Sequence, residues 1–175
     1  LLALLDSLQL TKVTIIGLSL GGEVAIDFAI SYPQYVSKLV LASSSLGGYA
    51  STIDWNVHAK EVGIEQAKKN WLNHSVFAPT IKNEIAKETL GQIVNDYSGW
   101  HWLNHDPREK LQPSALTRLN EIKAPTEIIV SANDLSYYPD IAKILSKGIT
   151  NSHLTIIHNS GHMVNLENPN EFNKV

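Results

Sequence analysis

Gly17-Leu18-Ser19-Leu20-Gly21 joins a short apolar run to a run with apolar residues at helical spacing. The first run, residues 12–16, is rich in β-branched side chains and predicts a buried strand. The second run, residues 20–31, predicts a helix that ends at Tyr32-Pro33, because proline cannot continue a helix. A serine at such a strand-to-helix turn is typical of a nucleophile elbow, so we interpret Ser19 as a nucleophile.

The tightness of this turn predicts that both flanking positions, Gly17 and Gly21, require glycine. The turn lifts the Ser19 hydroxyl clear of the sheet, at the start of the helix. The backbone N–H of Leu20 then faces any oxyanion that forms on a substrate. A phosphate-binding glycine loop is the alternative interpretation, but neither G-x-G-x-x-G nor G-x-x-x-x-G-K followed by Ser or Thr occurs.

The composition is that of a globular protein of about one domain, with 175 residues of which 43% are hydrophobic and 18% charged. A net charge of −3 gives no electrostatic basis for binding nucleic acid or an anionic membrane. The absence of cysteine excludes disulfides and thiolate metal sites. Leu1–Leu5 lacks the basic start of a signal peptide, and no apolar run has membrane-spanning length. We expect a cytoplasmic protein that acts on a small molecule.

Strands and helices alternate at both ends of the chain, which with short connections predicts a parallel sheet flanked by helices. Strand patterns occur at residues 12–16, 38–42, 127–131 and 154–157. Between the second and third of them only helical patterns appear, at residues 61–73, 80–96 and 113–119. We therefore divide the chain into a core of residues 1–48 and 121–175 and a helical cap of residues 49–120.

The cap contains all four tryptophans, which suggests that an apolar or aromatic group is bound there. Trp100 and Trp102 are the candidate substrate-binding residues; the alternative is that the tryptophans fill a small core of the cap itself. Candidate metal ligands in the cap are His101, His105 and Asp106, but no second cluster in the sequence completes a coordination shell. We expect neither a metal nor a cofactor.

Two further residues supply what a serine nucleophile needs, a base to take its proton and an acid to orient that base. Asp134 directly follows the third strand pattern and His162 follows the fourth, so with Ser19 they lie past the carboxyl edge of the predicted sheet. Gly161 gives the histidine loop the freedom to present its ring. Four other residues are weaker candidates for these two roles: Asp106, Asp140, His153 and His158.

Together these motifs resemble the α/β-hydrolase superfamily over nearly the whole chain. The elbow, the segment before the acid and the histidine loop look like the family's motifs at residues 17–22, 124–134 and 159–169, with Leu18 where the family often has histidine. The resemblance implies an α/β-hydrolase fold with a helical cap. In it Ser19 is the nucleophile, His162 the base and Asp134 the orienting acid, and no cofactor is needed.

The chain departs from the family at its beginning. In the family several strands precede the first helix seen here, and a loop after an early strand supplies the second oxyanion-hole donor. We therefore expect an N-terminally truncated fragment that holds the three catalytic residues but, with Leu20, only half of the oxyanion hole. Removing one such donor typically costs about 10²–10³ in rate. The elbow strand is expected to present an open apolar edge.

The similarity to capped hydrolases implies three candidate functions. The first is hydrolysis of carboxylic esters or lactones through an acyl-enzyme. The second is hydrolysis of a C–C bond in ring-cleavage products by the same three residues, and the third is a non-catalytic ligand-binding role. Dehalogenase and epoxide-hydrolase chemistry is disfavoured, because those relatives carry aspartate where this chain has Ser19.

Overall fold

The computed structural model describes residues 1–49, 55–105, 107 and 109–175. In these residues the chain forms a four-stranded parallel sheet in the order β1-β2-β3-β4. The strands are β1 (Val13–Leu18), β2 (Val36–Ala42), β3 (Thr126–Ser131) and β4 (Ser152–Ile157). All four strand predictions and the parallel α/β class are confirmed.

Helices connect and flank these strands. They are α1 (Leu2–Ser7), α2 (Leu20–Ser31), α3 (Trp55–Val62), α4 (Ile64–Leu72), α5 (Glu84–Asp96), α6 (Trp100–Leu103), α7 (Tyr137–Gly148), α8 (Val164–Glu167) and α9 (Pro169–Phe172). The described helices include none that is long and apolar enough to cross a membrane.

The sheet is covered along one face, and on the other face it is buried towards the carboxyl ends of the strands. Successive side chains of a strand point to opposite faces. In β2, Leu39 and Leu41 join the main core, to which α2 contributes Ile26 and α7 contributes Leu145. The other face carries a smaller cluster, Ala42, Ile129, Ile157 and Val164. This packing fixes the strand ends, and therefore the loops that follow them.

Residues 55–121 between β2 and β3, here called the helical insertion, contain no strand in their described part. The helix predicted over residues 61–73 is interrupted at Gly63, whose φ of 80° is left-handed backbone that glycine adopts at little cost. The helix predicted from residue 80 starts at Glu84, because the Asn83 side chain caps it by accepting from the N–H of Ala86 at 3.1 Å. The helix predicted at residues 113–119 is instead a pair of 3-10 turns. The division into core and cap stays a prediction.

The predicted open edge is found at β1, which pairs only with β2 among the described strands. Ile16 of β1 is 65% exposed, and the neighbouring Leu20 and Val24 of α2 are exposed as well. With Leu1 and Ile15 these side chains line an apolar surface groove. The face of the sheet that carries Leu39 and Leu41 is well covered, whereas the groove beside β1 is exposed.

Candidate active site

The elbow has the strained backbone that a nucleophile turn requires. Ser19 lies between β1 and α2 with φ 53° and ψ −120°, a conformation that costs a non-glycine residue about 1–3 kcal/mol and is typical of functional sites. Its N–H donates to the carbonyl of Ala42 at 3.0 Å. Its carbonyl accepts from the N–H of Gly22 at 2.9 Å and of Ser45 at 3.0 Å. These bonds to the end of β2 and to α2 hold the turn in place.

The glycine prediction at this turn is half right. A Cβ on Gly17 would overlap the carbonyl of Gly21, so Gly17 is required. The prediction for Gly21 is wrong, because a Cβ there meets no described atom within 4 Å. The second required glycine is Gly22, where a Cβ would overlap the Ser44 side chain. The tight contact is therefore between α2 and the loop after β2.

The start of α2 offers hydrogen-bond donors beside Ser19. The first N–H groups of a helix have no acceptor within the helix and carry the positive end of its dipole. In α2 the N–H groups of Gly22 and Glu23 bond back to the carbonyl of Ser19. The N–H of Leu20, the first residue of α2, precedes these and follows Ser19 directly. Its role as a donor to an oxygen bound at the Ser19 hydroxyl stays a prediction.

Asp134 and His162 form a buried hydrogen-bonded pair. His162 Nδ1 lies 3.0 Å from Asp134 Oδ2, and the two side chains are 5% and 0% exposed. The other carboxylate oxygen, Oδ1, accepts from the N–H of Leu135 at 2.8 Å. Because the carboxylate only accepts, Nδ1 donates and the lone pair of the neutral imidazole lies on Nε2. The pair has the form of a base held by an orienting acid.

The weaker candidates lie elsewhere. Asp140 is exposed and binds Lys143 at 3.1 Å, and His153 is exposed and binds Glu127 at 2.9 Å. His158, which the sequence suggested as partly buried, is exposed because it follows the last residue of β4. Asp106 lies outside the described residues.

Glu167 binds the backbone N–H groups of the residues on either side of His162. Its carboxylate accepts from the N–H of Gly161, from the N–H of Met163 at 3.2 Å and from the fully buried hydroxyl of Thr80 at 2.7 Å. Thr80 belongs to the helical insertion. One carboxylate therefore fixes the loop that carries His162 and ties it to the insertion.

Gly161 is needed for a different reason from the one predicted. Gly161 is not one of the described glycines that have a positive φ, so its backbone conformation does not itself require glycine. A Cβ at Gly161 would overlap Pro79 of the helical insertion. The glycine thus permits the close approach of the insertion to the histidine loop.

Glu167→Gln is expected to lower the free energy of unfolding by about 1–3 kcal/mol, because an amide cannot accept from three donors as the carboxylate does. Urea denaturation monitored by tryptophan fluorescence measures this change. Glu171→Gln is the matched control, since the Glu171 side chain is exposed and bonds to Lys174 Nζ at 2.6 Å. Equal changes in the free energy of unfolding for the two substitutions would show that the hydrogen bonds of Glu167 do not stabilise the fold.

Tyr138 also belongs to the site, although the sequence did not single it out. Its hydroxyl lies 3.4 Å from Ser19 Oγ, and its ring centroid lies 4.2 Å from that of His162. Only 5% of the residue is exposed. The available signal was weak: a Tyr137-Tyr138-Pro139 run that opens a helix just after Asp134.

The tryptophans of the insertion largely pack on one another, as the alternative interpretation proposed. Ring centroids are 4.7 Å apart for Trp55 and Trp71 and 5.5 Å apart for Trp55 and Trp102. Trp100 is instead 46% exposed. Substrate contact by Trp100 and Trp102 stays a prediction.

This aromatic cluster extends to the base. Trp71 contacts Phe77 at a centroid distance of 5.0 Å, and Phe77 lies 6.5 Å from His162. The pKa of His74, which stacks on Trp71, is lowered first by burial and second by the charge of His162. The insertion thus places the Phe77 ring near His162, and the lowered pKa of His74 means that this second imidazole stays neutral more readily than usual.

The other histidines of the insertion give no metal site in the described part of the chain, where no three His, Asp or Glu side chains come close enough together to hold an ion. Asp106, the third member of the group suggested with His101 and His105, is not among the described residues.

A cavity of about 610 Å³ opens beside the elbow. Its lining includes Leu20 and Tyr137, the neighbours of Ser19 and Tyr138, together with Ser45, Tyr49 and Gln112. The volume is in the range of small-molecule sites. The cavity is lined by residues of α2 and α7, next in sequence to Ser19 and Tyr138.

Comparison with known proteins agrees with the fold. Residues 1–127 match the family profile described as alpha/beta hydrolase fold. A 2-hydroxy-6-oxononadienedioate/2-hydroxy-6-oxononatrienedioate hydrolase of Pseudomonas putida is 30% identical over 190 residues, which cover 98% of this chain and 64% of that protein. A hydrolase of the same name from Paraburkholderia phymatum is 29% identical, and the match covers 98% of this chain and 63% of that protein. The chain thus spans less than two thirds of the length of these relatives.

Solved structures show the same fold. MenH from S. aureus superposes with a TM-score of 0.70 at 25% identity, over 98% of this chain and 69% of that one. The enol-lactonase from Burkholderia xenovorans superposes with a TM-score of 0.81 at 18% identity, over 99% and 67%. With the profile match over residues 1–127, these likenesses assign the chain: it belongs to the α/β-hydrolase fold family.

Proposed function

We propose that the protein is a serine hydrolase of small molecules, with Ser19 as nucleophile, His162 as base and Asp134 as the acid that orients the base. One observation carries the proposal. The buried pair of His162 and Asp134 follows β4 and β3 at the same sheet edge at which the strained Ser19 follows β1. A strained serine and a buried acid–imidazole pair at one edge serve no evident purpose in the packing of the core.

In the proposed reaction Ser19 Oγ bonds to a substrate carbonyl carbon while His162 Nε2 takes the hydroxyl proton. The carbonyl oxygen becomes an oxyanion and accepts from the N–H of Leu20. Collapse of this intermediate breaks the bond to the leaving group, which receives the proton from Nε2. A water molecule then gives a proton to Nε2 and attacks the acyl carbon, so that the acid product leaves and the Ser19 hydroxyl is restored.

Two bond types remain candidates. Esters and lactones suit the geometry around Ser19 and Leu20 directly. Cleavage of a C–C bond is favoured by the curated relatives at 29–30% identity, whose named substrates are linear hydroxy-oxo dioates. Such a compound contains neither an ester nor a lactone, so its hydrolysis must break a bond between carbon atoms. We therefore propose 2-hydroxy-6-oxo-dienoates as the second substrate class to test.

A fluorophosphonate probe tests the proposal, because it phosphonylates only an activated serine. We expect labelling at Ser19 in peptide mass mapping, complete loss of labelling in Ser19→Ala, and unchanged labelling in Ser37→Ala, whose serine lies at the start of β2 away from the site. Turnover of p-nitrophenyl esters, lactones and a 2-hydroxy-6-oxo-dienoate then separates the bond types. A folded protein that is not labelled would contradict the mechanism and favour a ligand-binding role.

A further inference from the structure

We propose that Tyr138 is a positioning residue, which holds Ser19 and His162 in one geometry and directs the proton of Ser19 toward His162. The inference rests on the proposed function, since it gives Tyr138 a part in the activation of Ser19. It goes beyond the three residues of that mechanism and concerns a side chain that contacts two of them.

The first argument is that one buried side chain contacts both groups. The Tyr138 ring lies on the His162 imidazole at a centroid distance of 4.2 Å and an interplanar angle of 35°, and its hydroxyl lies 3.4 Å from Ser19 Oγ. Asp134 holds the same imidazole by its edge, through Nδ1. An imidazole that is held at its edge and covered on a face has few orientations left, so Nε2 has a defined direction.

The second argument is the rigidity of the segment that carries Tyr138. The residue lies in the first turn of α7, where its N–H donates to the carbonyl of Leu135 at 3.0 Å. The N–H of Leu135 in turn donates to Asp134 Oδ1. Asp134 and Tyr138 are therefore fixed by one short hydrogen-bonded loop, and both of their contacts to His162 depend on the same backbone.

The third argument is the second tyrosine beside Tyr138. Tyr137 and Tyr138 stack with centroids 4.1 Å apart. The pKa of Tyr137 is raised, first by burial and then by its interaction with the Tyr138 hydroxyl. The 3.4 Å contact between the hydroxyls of Tyr138 and Ser19 allows either group to donate. In the proposed arrangement Tyr138 donates to Ser19 Oγ, and Tyr137 supports Tyr138 from its other side.

With Tyr138 as donor, Ser19 Oγ accepts one hydrogen bond and keeps its own proton for His162 Nε2. The Nδ1 atom of His162 is already committed to Asp134. A donor to Oγ strengthens when the oxygen carries negative charge, as it does when the proton is removed and again when the acyl group departs. Tyr138 therefore favours both the attack of Ser19 and its release.

Tyr138→Phe tests the inference, because it keeps the ring on His162 and removes only the hydroxyl. We expect the rate of Ser19 labelling by the fluorophosphonate and kcat to fall about 10-fold, the effect of one hydrogen bond worth about 1.4 kcal/mol. KM and the midpoint of thermal unfolding are expected to stay unchanged. If the role of the hydroxyl were only structural, its removal would lower the midpoint of thermal unfolding. Tyr137→Phe is also expected to slow labelling, by a smaller factor than Tyr138→Phe.

Tyr35→Phe is the matched control, because it removes a tyrosine hydroxyl that donates to Asp6 at 2.9 Å far from the site. Its labelling rate is expected to equal that of the unsubstituted protein. If the unsubstituted protein is not labelled, the proposed function fails. If it is labelled and Tyr138→Phe is labelled as fast or faster, the function stands and the positioning role is overturned. Should Tyr138→Phe not fold, an undiminished rate in Tyr137→Phe overturns the role as well.

Discussion

Asp134→Asn is expected to lower kcat/KM by about 10⁴-fold while the protein stays folded. Both carboxylate oxygens of Asp134 accept hydrogen bonds, Oδ1 from the N–H of Leu135 and Oδ2 from His162 Nδ1. An asparagine has one oxygen for these two donors. If its oxygen stays with Leu135, its NH₂ group faces Nδ1 and the imidazole proton moves to Nε2. His162 then holds a proton where it must accept one.

The matched control is Asp140→Asn. Asp140 is an exposed carboxylate in the first turn of α7 that binds Lys143 at 3.1 Å. The same substitution there is expected to leave kcat/KM unchanged, as measured with whichever substrate the panel identifies. If kcat/KM fell in Asp140→Asn and not in Asp134→Asn, the orienting acid would be Asp140 and the role proposed for Asp134 would be wrong.

Gly17→Ala is expected to lower the free energy of unfolding by about 1–3 kcal/mol or more, the usual cost of an overpacked site. The new Cβ would overlap the carbonyl of Gly21 and lie 2.7 Å from Gly22 Cα. These are backbone atoms of the first turn of α2, so no side-chain rotation relieves the contact. Urea denaturation measures the change, and fluorophosphonate labelling of the folded fraction reports on the shape of the turn.

Gly21→Ala is the control for this experiment, four residues away in the same turn. A Cβ at Gly21 meets no described atom within 4 Å, and alanine is favoured over glycine in a helix by about 1 kcal/mol. We therefore expect unchanged or slightly higher stability. Equal losses at both positions would mean that the turn, rather than the contact at Gly17, is intolerant of side chains.

The sequence predicted most of what depends on short-range pattern. The strands were found because each is a short apolar run bounded by turn residues. The sequence singled out Ser19, Asp134 and His162 because each lies in the segment that follows one of those strands, and parallel strands bring such segments to one edge. The fold of the core and the membership of the family follow from the same pattern.

What the sequence could not predict depends on contacts between distant segments. Tyr138 lies in a helix, and helical spacing does not tell which face of the first turn meets the elbow. The requirement for glycine at Gly22 comes from Ser44, more than twenty residues away. The requirement at Gly161 likewise comes from Pro79 of the insertion. In each case the local sequence is compatible with several packings, and the tertiary contact decides among them.

The bond from Thr80 to Glu167 has a consequence for the energetics of ligand binding. Because Glu167 also accepts from the N–H groups of Gly161 and Met163, the residues on either side of His162, any movement of this part of the insertion that breaks the bond loosens the base as well. Docking of the Thr80 segment and alignment of the imidazole are then two ends of one thermodynamic linkage. A ligand that favours the docked insertion must, by the same free energy, favour the aligned base.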